Sequence, residues 1–595
     1  MKARCITALL APSLALSLAV PARGDRLGVR ADDAGGLVVE ASGPVGPAAD
    51  APNAPPADGW SCVVLLDGAA DRPAPALLLD GHALRFLPIA GGRRLVARTP
   101  DDFDAGRAFT ATLDAGRADD AVALAPTAVR VERVHAAPTG SLVGKANGHL
   151  GPDRLDLGPL GFVGLTEHEC CGLTVLEVRD GGAAARAGLA VGDLVLALDG
   201  EPLPPSSVAP GPAWFERSHE ALFGRALEAA ARAGRASVAL EVLRGDAVVS
   251  LALDQPFRPE RFGLEGDDLA AALDAGFPLR GPLGDALRTD LVGWARANER
   301  DEGGWRGADA VNPSLGALAL LATGEEEDRA AAKRALDFMR AKHPRPSEME
   351  GLAYWTIGFL GVALCEWHLA TGDEEVLPWI TEAIEWLPTT SHTCKWGMQA
   401  FGHGPDGLPY DDKALMAPTA HLLVFDALAR RCGVESTVWE HVREYVEHAW
   451  SNPDDGGHGA MGYNGSYRDK GEFWSRSGLV ALAEHLRGDE ETGMREPLVA
   501  IMEERHQWMF NSHAYGEPGA ALGLLSLATV DRDAFERVLA QYRWRFLANW
   551  EPGYGLRYTT PHMGAPYMGG ESVVNLAYLL LFAAEERSLV VAGRE

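Results

Sequence analysis

Residues able to do chemistry crowd most densely at 389–412, TTSHTCKWGMQAFGHGPDGLPYDD, where His, Trp, Tyr, Asp and Cys sit between glycines and prolines. An apolar helical pattern flanks the stretch, and loops carry chemistry when a rigid scaffold presents them. This stretch and similar ones downstream supply His403, Asp406, Tyr410, Asp411, His458, Glu472 and Glu517 as candidate catalytic residues. Hydrolysis of a glycosidic bond takes two carboxylates, about 5 to 5.5 Å apart for retention or roughly 6.5 to 9.5 Å for inversion. Asp406, Asp411, Glu472 and Glu517 are the candidates for that pair. Elimination from a uronic acid takes instead a Tyr or His base and a charge-neutralising partner, roles open to His403, Tyr410 and His458. Trp305, Trp396, Tyr463, Tyr515 and Tyr554 fall in the same group of loops. Such rings stack on apolar sugar faces while acids bind hydroxyls. Each residue also has a plainer use: Asp411 or Asp412 would cap the next helix, and Trp355, Trp367, Trp386 and His368 lie within helical runs as core.

The elements that must position these loops begin at 284, where apolar residues recur with period 3.6 to the C-terminus. The pattern predicts about twelve helices between 285 and 588, in pairs. Connections alternate in length. Short ones centre on Gly324, Gly372, Gly433, Gly488 and Asp531, and the glycines sit where a left-handed helix cap wants them. Longer ones run over 300–312, 343–349, 389–411, 452–472, 511–517 and 550–570. Alternation of this kind puts every long loop on one face, and six hairpins can close into an all-α (α/α)6 toroid; an open solenoid is the alternative. The strings DEGGW at 301–305 and LATGD at 369–373 look like the toroid superfamily that includes terpenoid cyclases, prenyltransferase subunits, glycoside hydrolases and polysaccharide lyases. A squalene-cyclase-like proton donor would need an Asp-x-Asp-Asp run, whereas Asp411-Asp412 and Asp454-Asp455 are bare pairs. A farnesyltransferase-like zinc set cannot be placed. No cofactor and no metal site is expected.

Upstream, the chain is multidomain. Residues 1–22 have the parts of a secretory signal: Lys2 and Arg4, an apolar run over 6–20, and Ala22 before the cut. Residues 23–59 read as a disordered tether and 60–140 as a small β-rich domain. Residues 150–256 resemble a PDZ domain, an α+β module, through Phe162-Val163-Gly164-Leu165, the run LTVLEVRDGGAAARAGLAVGDLVLALDGEPL, a helix ending near Gly234, and the strands SVALEVLRG and AVVSLAL. The resemblance implies that Phe162, Val163, Gly164 and Leu165 offer backbone to a protein's C-terminal peptide, which adds as a strand. Residues 257–283 read as a linker and 284–595 as the toroid.

A chain of 595 residues exceeds one core. Its net charge of −29 argues against nucleic acid and anionic membranes as partners. After the leader no run is apolar enough to span a membrane. Six cysteines follow the leader, and their pairing is open. The whole arrangement resembles a bacterial secreted family described as a domain of unknown function. Leu157-Gly158-Pro159-Leu160-Gly161, the run WTIGFLGVALCEWHLATGD, Ala400-Phe401-Gly402-His403-Gly404 and LARRCG carry that resemblance. The expectation is an exported protein, periplasmic or extracellular, whose toroid binds or cleaves a polysaccharide. The alternative is a non-catalytic envelope scaffold that holds protein tails on its PDZ domain.

Overall fold

The structure, a computed structural model, describes residues 26–31, 37–42, 60–67, 76–79, 82–84, 87–98, 109–114, 128–135, 153–166, 170–208, 210–265, 268–309, 311–405, 414–468, 473–488, 492–511, 516–557 and 570–595. The leader at 1–22 lies outside them. The chain divides into two compact units.

Unit 1 comprises Met1–Val208, Arg217–Ala230 and Arg235–Gln255. Its N-terminal strands β1 (Arg26–Ala31), β2 (Leu37–Ser42), β3 (Trp60–Asp67), β4 (Ala76–Leu79), β5 (His82–Leu84), β6 (Leu87–Ile89), β7 (Arg94–Arg98), β8 (Phe109–Asp114) and β9 (Ala128–His135) form two antiparallel sheets, ordered β1-β2-β8-β4-β5 and β6-β7-β3-β9. The expected tether at 23–59 thus contains two strands, because the apolar run of LVVEAS finds a partner in β8. The surrounding Pro and Gly composition hides that signal.

The PDZ sheet is β10 (Asp153–Leu157), β11 (Phe162–Thr166), β12 (Leu173–Val178), β13 (Leu194–Leu198), β14 (Glu201–Pro202), β15 (Ser237–Arg244) and β16 (Ala247–Asp254), with helices α1 (Ala183–Ala187) and α3 (His219–Arg232). Ile89, Ala90 and Val96 from the β6–β7 hairpin share a buried cluster with Cys171, Leu194, Leu196 and Leu243. Buried Arg94 donates to the Leu203 carbonyl at 2.7 Å.

Strand β11 bears on the peptide-binding expectation. It pairs antiparallel with β12 on one side and with β10 on the other, Asp156 opposite Val163 and Leu157 opposite Phe162. The edge to which a tail peptide would add is therefore filled by the chain's own preceding strand. Phe162, Val163 and Leu165 are buried. Gly164 serves packing inside the domain, since a Cβ there would lie 2.5 Å from the Leu173 side chain. His219, at the start of α3, is buried with its Nδ1 bonded to the Thr166 hydroxyl at 2.9 Å.

Unit 2 comprises Ala209–Glu216, Ala231–Gly234 and Pro256–Glu595, and it takes most of α2 (Pro212–Arg217). The expected linker at 257–283 is folded: it forms α4 (Asp268–Asp274), and Phe257, Phe262 and Phe277 surround Trp550 with ring centroids 5.5, 5.6 and 6.0 Å away. Large apolar residues at this spacing find a core when the C-terminal helices return to them.

From α5 (Gly281–Ala297) the chain alternates outer and inner helices. The outer ones are α5, α7 (Glu326–Lys342), α9 (Leu377–Thr390), α11 (Val438–Ala449), α13 (Arg495–Glu504) and α15 (Arg532–Ala540); the inner ones are α6 (Asn312–Ala322), α8 (Ala353–Thr371), α10 (Met416–Arg431), α12 (Trp474–Arg487), α14 (Gly516–Val530) and, after a short α16 (Arg543–Asn549), α17 (Glu571–Glu586). Each inner helix packs on the next, and α17 returns to both α6 and α5, which closes the ring as an (α/α)6 toroid. Every residue of α6 is buried, whereas α7 buries one stripe that includes Ala331, Ala335, Leu336 and Met339. Close nesting needs small residues: Gly361 on α8 faces the Phe425 ring of α10, where a Cβ would come within 2.5 Å. The ring is also tied at its other end, because Glu366 of α8 accepts from the backbone N–H groups of Val590 and Val591 at 3.0 and 2.7 Å.

Short connections follow inner helices, with positive φ at Gly324, Gly372, Gly433 and Gly488. Long connections precede them, so all six inner helices begin on the long-loop face.

Candidate functional site

On that face the first turns of the inner helices meet the long loops, and the side chains gather in four groups. The first links α8 to α10. Trp355, partly buried in the first turn of α8, donates its indole N–H to Nδ1 of His403 at 2.9 Å. His421, inside α10, is buried and lies against Phe359 with centroids 4.4 Å apart and planes tilted by 33°. Burial lowers the His403 pKa, and it lowers that of His421 to about 3. His403 thus sits where it was expected, but its Nδ1 is engaged as an acceptor, which leaves the proton of the neutral ring on Nε2.

The second group lies where the last long loop enters α17. Asn575 accepts from the backbone N–H of Leu556 and donates to its carbonyl, both at 2.8 Å, which pins this loop to the inner helix. Beside it Arg557 lies 3.4 Å over the Tyr554 ring. Its guanidinium bonds Glu551 at 2.7 Å and Glu571 at 3.2 Å, and the Tyr554 hydroxyl donates to Glu571 at 2.5 Å. Burial, and then the bond to Glu571, raises the Tyr554 pKa. Both glutamates stay about one-third exposed. Sequence reasoning found Tyr554 and missed Arg557 and Glu571; the signal was an Arg between an aromatic and the acid that opens the next helix.

The third group corrects Glu517. It is buried in the first turn of α14, with one carboxylate oxygen on Arg545 and the other accepting from the Tyr578 hydroxyl at 2.7 Å. Arg545 lies 4.2 Å from the centre of Phe510 and 5.5 Å from that of Trp214. A carboxylate committed on both oxygens beneath two aromatic rings holds the ring of helices together instead of meeting substrate.

The fourth group is peripheral. The hairpin β17 (His392–Thr393) and β18 (Gln399–Ala400) lies over α11, and its tip carries Trp396, whose ring is 4.6 Å from that of His448. Tyr463, partly buried, lies under the Arg476 guanidinium at 5.4 Å. His458 is exposed on a turn, its backbone N–H bonded to the Ser451 hydroxyl at 3.0 Å. It does not join the Trp355–His403 pair.

Trp305 is a second correction. It is fully buried, donates to the Ala295 carbonyl at 2.8 Å, and covers Gly316 of α6, so it is core and offers no face to a sugar. Asp406, Tyr410, Asp411, Glu472 and Tyr515 lie outside the described residues. Among the described residues no three His, Cys, Asp or Glu side chains converge as metal ligands, and no helix is long and apolar enough to cross a membrane.

A family model described as a domain of unknown function (DUF6288) matches residues 294–593, and a PDZ domain model matches 174–209. No curated protein matches the chain. Solved structures similar to it include the GH76A alpha-1,6-mannanase of Salegentibacter sp. HEL1_6, 13% identical over 51% of this chain and 99% of that one, with a TM-score of 0.40. A GH76 alpha-mannanase of Bacteroides thetaiotaomicron is 11% identical over 51% and 96%, TM-score 0.39. Cellobiose 2-epimerase of Bacillus thermoamylovorans is 12% identical over 50% and 97%, TM-score 0.37.

Proposed function

The chain belongs to the family described as a domain of unknown function (DUF6288), and we propose that it is an exported protein whose toroid mouth binds a polysaccharide and cleaves it. One observation carries the reading: Tyr554, Arg557, Glu551 and Glu571 interlock at the mouth with both carboxylates part-exposed. Part-exposed acids held beside a guanidinium and an aromatic ring match the hydroxyls that ring a sugar. Trp355 and His403 offer a second ring and an N–H donor on the same face. Asp406, Asp411 and Glu472, on the stretches that lead into α10 and α12, are the proposed carboxylates for bond cleavage. Export rests on Lys2, Arg4, the apolar run over 6–20 and Ala22. The paired edges of β11 weigh against the scaffold reading, in which a protein tail would occupy them.

The test is the melting of the full chain against a panel of polysaccharide fragments, with chromatography of the products. A ligand at 100 times its dissociation constant adds about 2.7 kcal/mol, enough for a shift of a few degrees. A selective shift with shortened products is expected, and Glu571→Gln should shrink the shift. No shift and no product with any polysaccharide overturns the reading.

A further inference from the structure

Two long loops meet over the outer helix α11 on the long-loop face, and each carries a cation. The tip of the β17–β18 hairpin presents Lys395 and Trp396, while the turn at 463–468 presents Tyr467 and Arg468. The loops are locked face to face at Gly465, where a Cβ would stand 2.5 Å from the Trp396 ring and 2.7 Å from His448. Asn464 shapes the turn by accepting from the backbone N–H groups of Ser466 and Tyr467 at 2.9 and 3.1 Å. That turn leaves Tyr467 61% exposed, one of the few large hydrophobic side chains at the surface among the described residues.

Among the described residues no carboxylate holds the cations here. Lys395 bonds the Ser466 hydroxyl and lies 4.5 Å over the Trp396 ring. Arg468 donates to Nδ1 of His448 at 2.7 Å. Among the described residues neither has an acidic side chain at ion-pair distance, whereas Arg280, Arg296, Arg334, Arg532, Arg537 and Arg557 each hold at least one. In a chain of net charge −29, two neighbouring cations with no acid beside them among the described residues keep their charge available. Imidazole acceptor, hydroxyl and indole face position these cations while leaving that charge uncancelled.

Resting on the reading of the mouth as a polysaccharide site, we propose that Lys395, Trp396, Tyr467 and Arg468 form a subsite on the same long-loop face for an anionic sugar, so that the polysaccharide is an acidic one bearing carboxylate or sulfate groups. The exposed ring of Tyr467 takes a face of the sugar, Trp396 backs the ammonium, and the ammonium and guanidinium take the anionic group. A neutral glycan would leave both cations without a counter-charge.

The test is titration of the full chain with three probes: a polygalacturonate oligosaccharide, a sulfated galactan oligosaccharide and a neutral mannan oligosaccharide. At least one anionic probe is expected to bind tenfold or more tightly than the neutral one, and which of the two does so tells carboxylate from sulfate. The double change Lys395→Ala with Arg468→Ala should abolish that preference, while Lys395→Arg retains it. Lys395 is exposed and Arg468 only partly buried, so an unchanged melting temperature separates lost binding from lost fold. Equal or tighter binding of the neutral probe overturns the subsite and leaves the mouth standing, as does an anionic preference that survives the double change. Binding of none of the probes, nor of any polysaccharide in the wider panel, overturns both.

Discussion

The indole N–H of Trp355 donates to Nδ1 of His403 at 2.9 Å, and this bond decides what His403 does at neutral pH. Burial lowers the pKa of the ring, so it is neutral, and with Nδ1 accepting, its proton resides on Nε2. In that state His403 is a hydrogen-bond donor toward a ligand and not the base for an elimination. Nitrogen-15 spectra of histidine-labelled protein should show one ring with Nε2 protonated, and Trp355→Phe should release it to the ordinary mixture of tautomers. Loss of a bond of about 1 kcal/mol should also weaken glycan binding by a few-fold. A His403 ring protonated at Nδ1 in the native protein would return it to the list of bases.

Glu517 separates a structural acid from a catalytic one. Its two oxygens meet Arg545 and Tyr578, and burial followed by the charge of Glu517 pushes the Tyr578 pKa well up. Glu517→Ala leaves a buried guanidinium without its partner, which costs roughly 3 to 5 kcal/mol. Denaturant unfolding should show that loss. Full stability with abolished turnover would reverse the assignment.

Legibility in the sequence followed the range of the interactions. Helix ends marked by Gly324, Gly372, Gly433 and Gly488 were readable because a left-handed cap is a local demand. From the alternation of loop lengths came the face on which the long loops gather. Glu517 was misread because its partners lie 28 and 61 residues away, on elements that only ring closure brings back. Trp305 sat in a loop by sequence yet found the bare surface of Gly316, a tertiary contact with no local signal. The Phe257, Phe262 and Phe277 group looked like linker for the same reason: Trp550 is far along the chain.

Acid should loosen the toroid through His421. Its folded pKa is lowered to about 3 from 6.5 by burial, so between those values the unfolded chain binds a proton that the folded one refuses. The stability present above pH 6.5 is therefore lost as pH falls toward 3, by on the order of 5 kcal/mol when complete. His219 in unit 1, lowered to about 4, acts with the same sign there. Melting curves at pH 7 and pH 4 should fall further for the native protein than for His421→Phe. Parallel falls would mean that this histidine does not govern acid sensitivity.

The paired edges of β11 predict that no tail adds to it as a strand, and Gly164 tests this. Peptide capture would make Gly164 an approach point for a ligand, so a larger residue would abolish binding and spare the fold. The structure instead sets its Cα against Leu173, which is fully buried, with a Cβ 2.5 Å from that side chain. Gly164→Val should overpack this contact and cost about 1 to 3 kcal/mol of stability in unit 1. The native chain should bind no member of a library of C-terminal peptides, because β10 would have to leave before a strand could add. Calorimetric unfolding of the variant and a fluorescence titration of the native protein check the two halves. A tail bound at micromolar strength, with Gly164→Val folded as stably as the native chain, would mean that β10 yields its place.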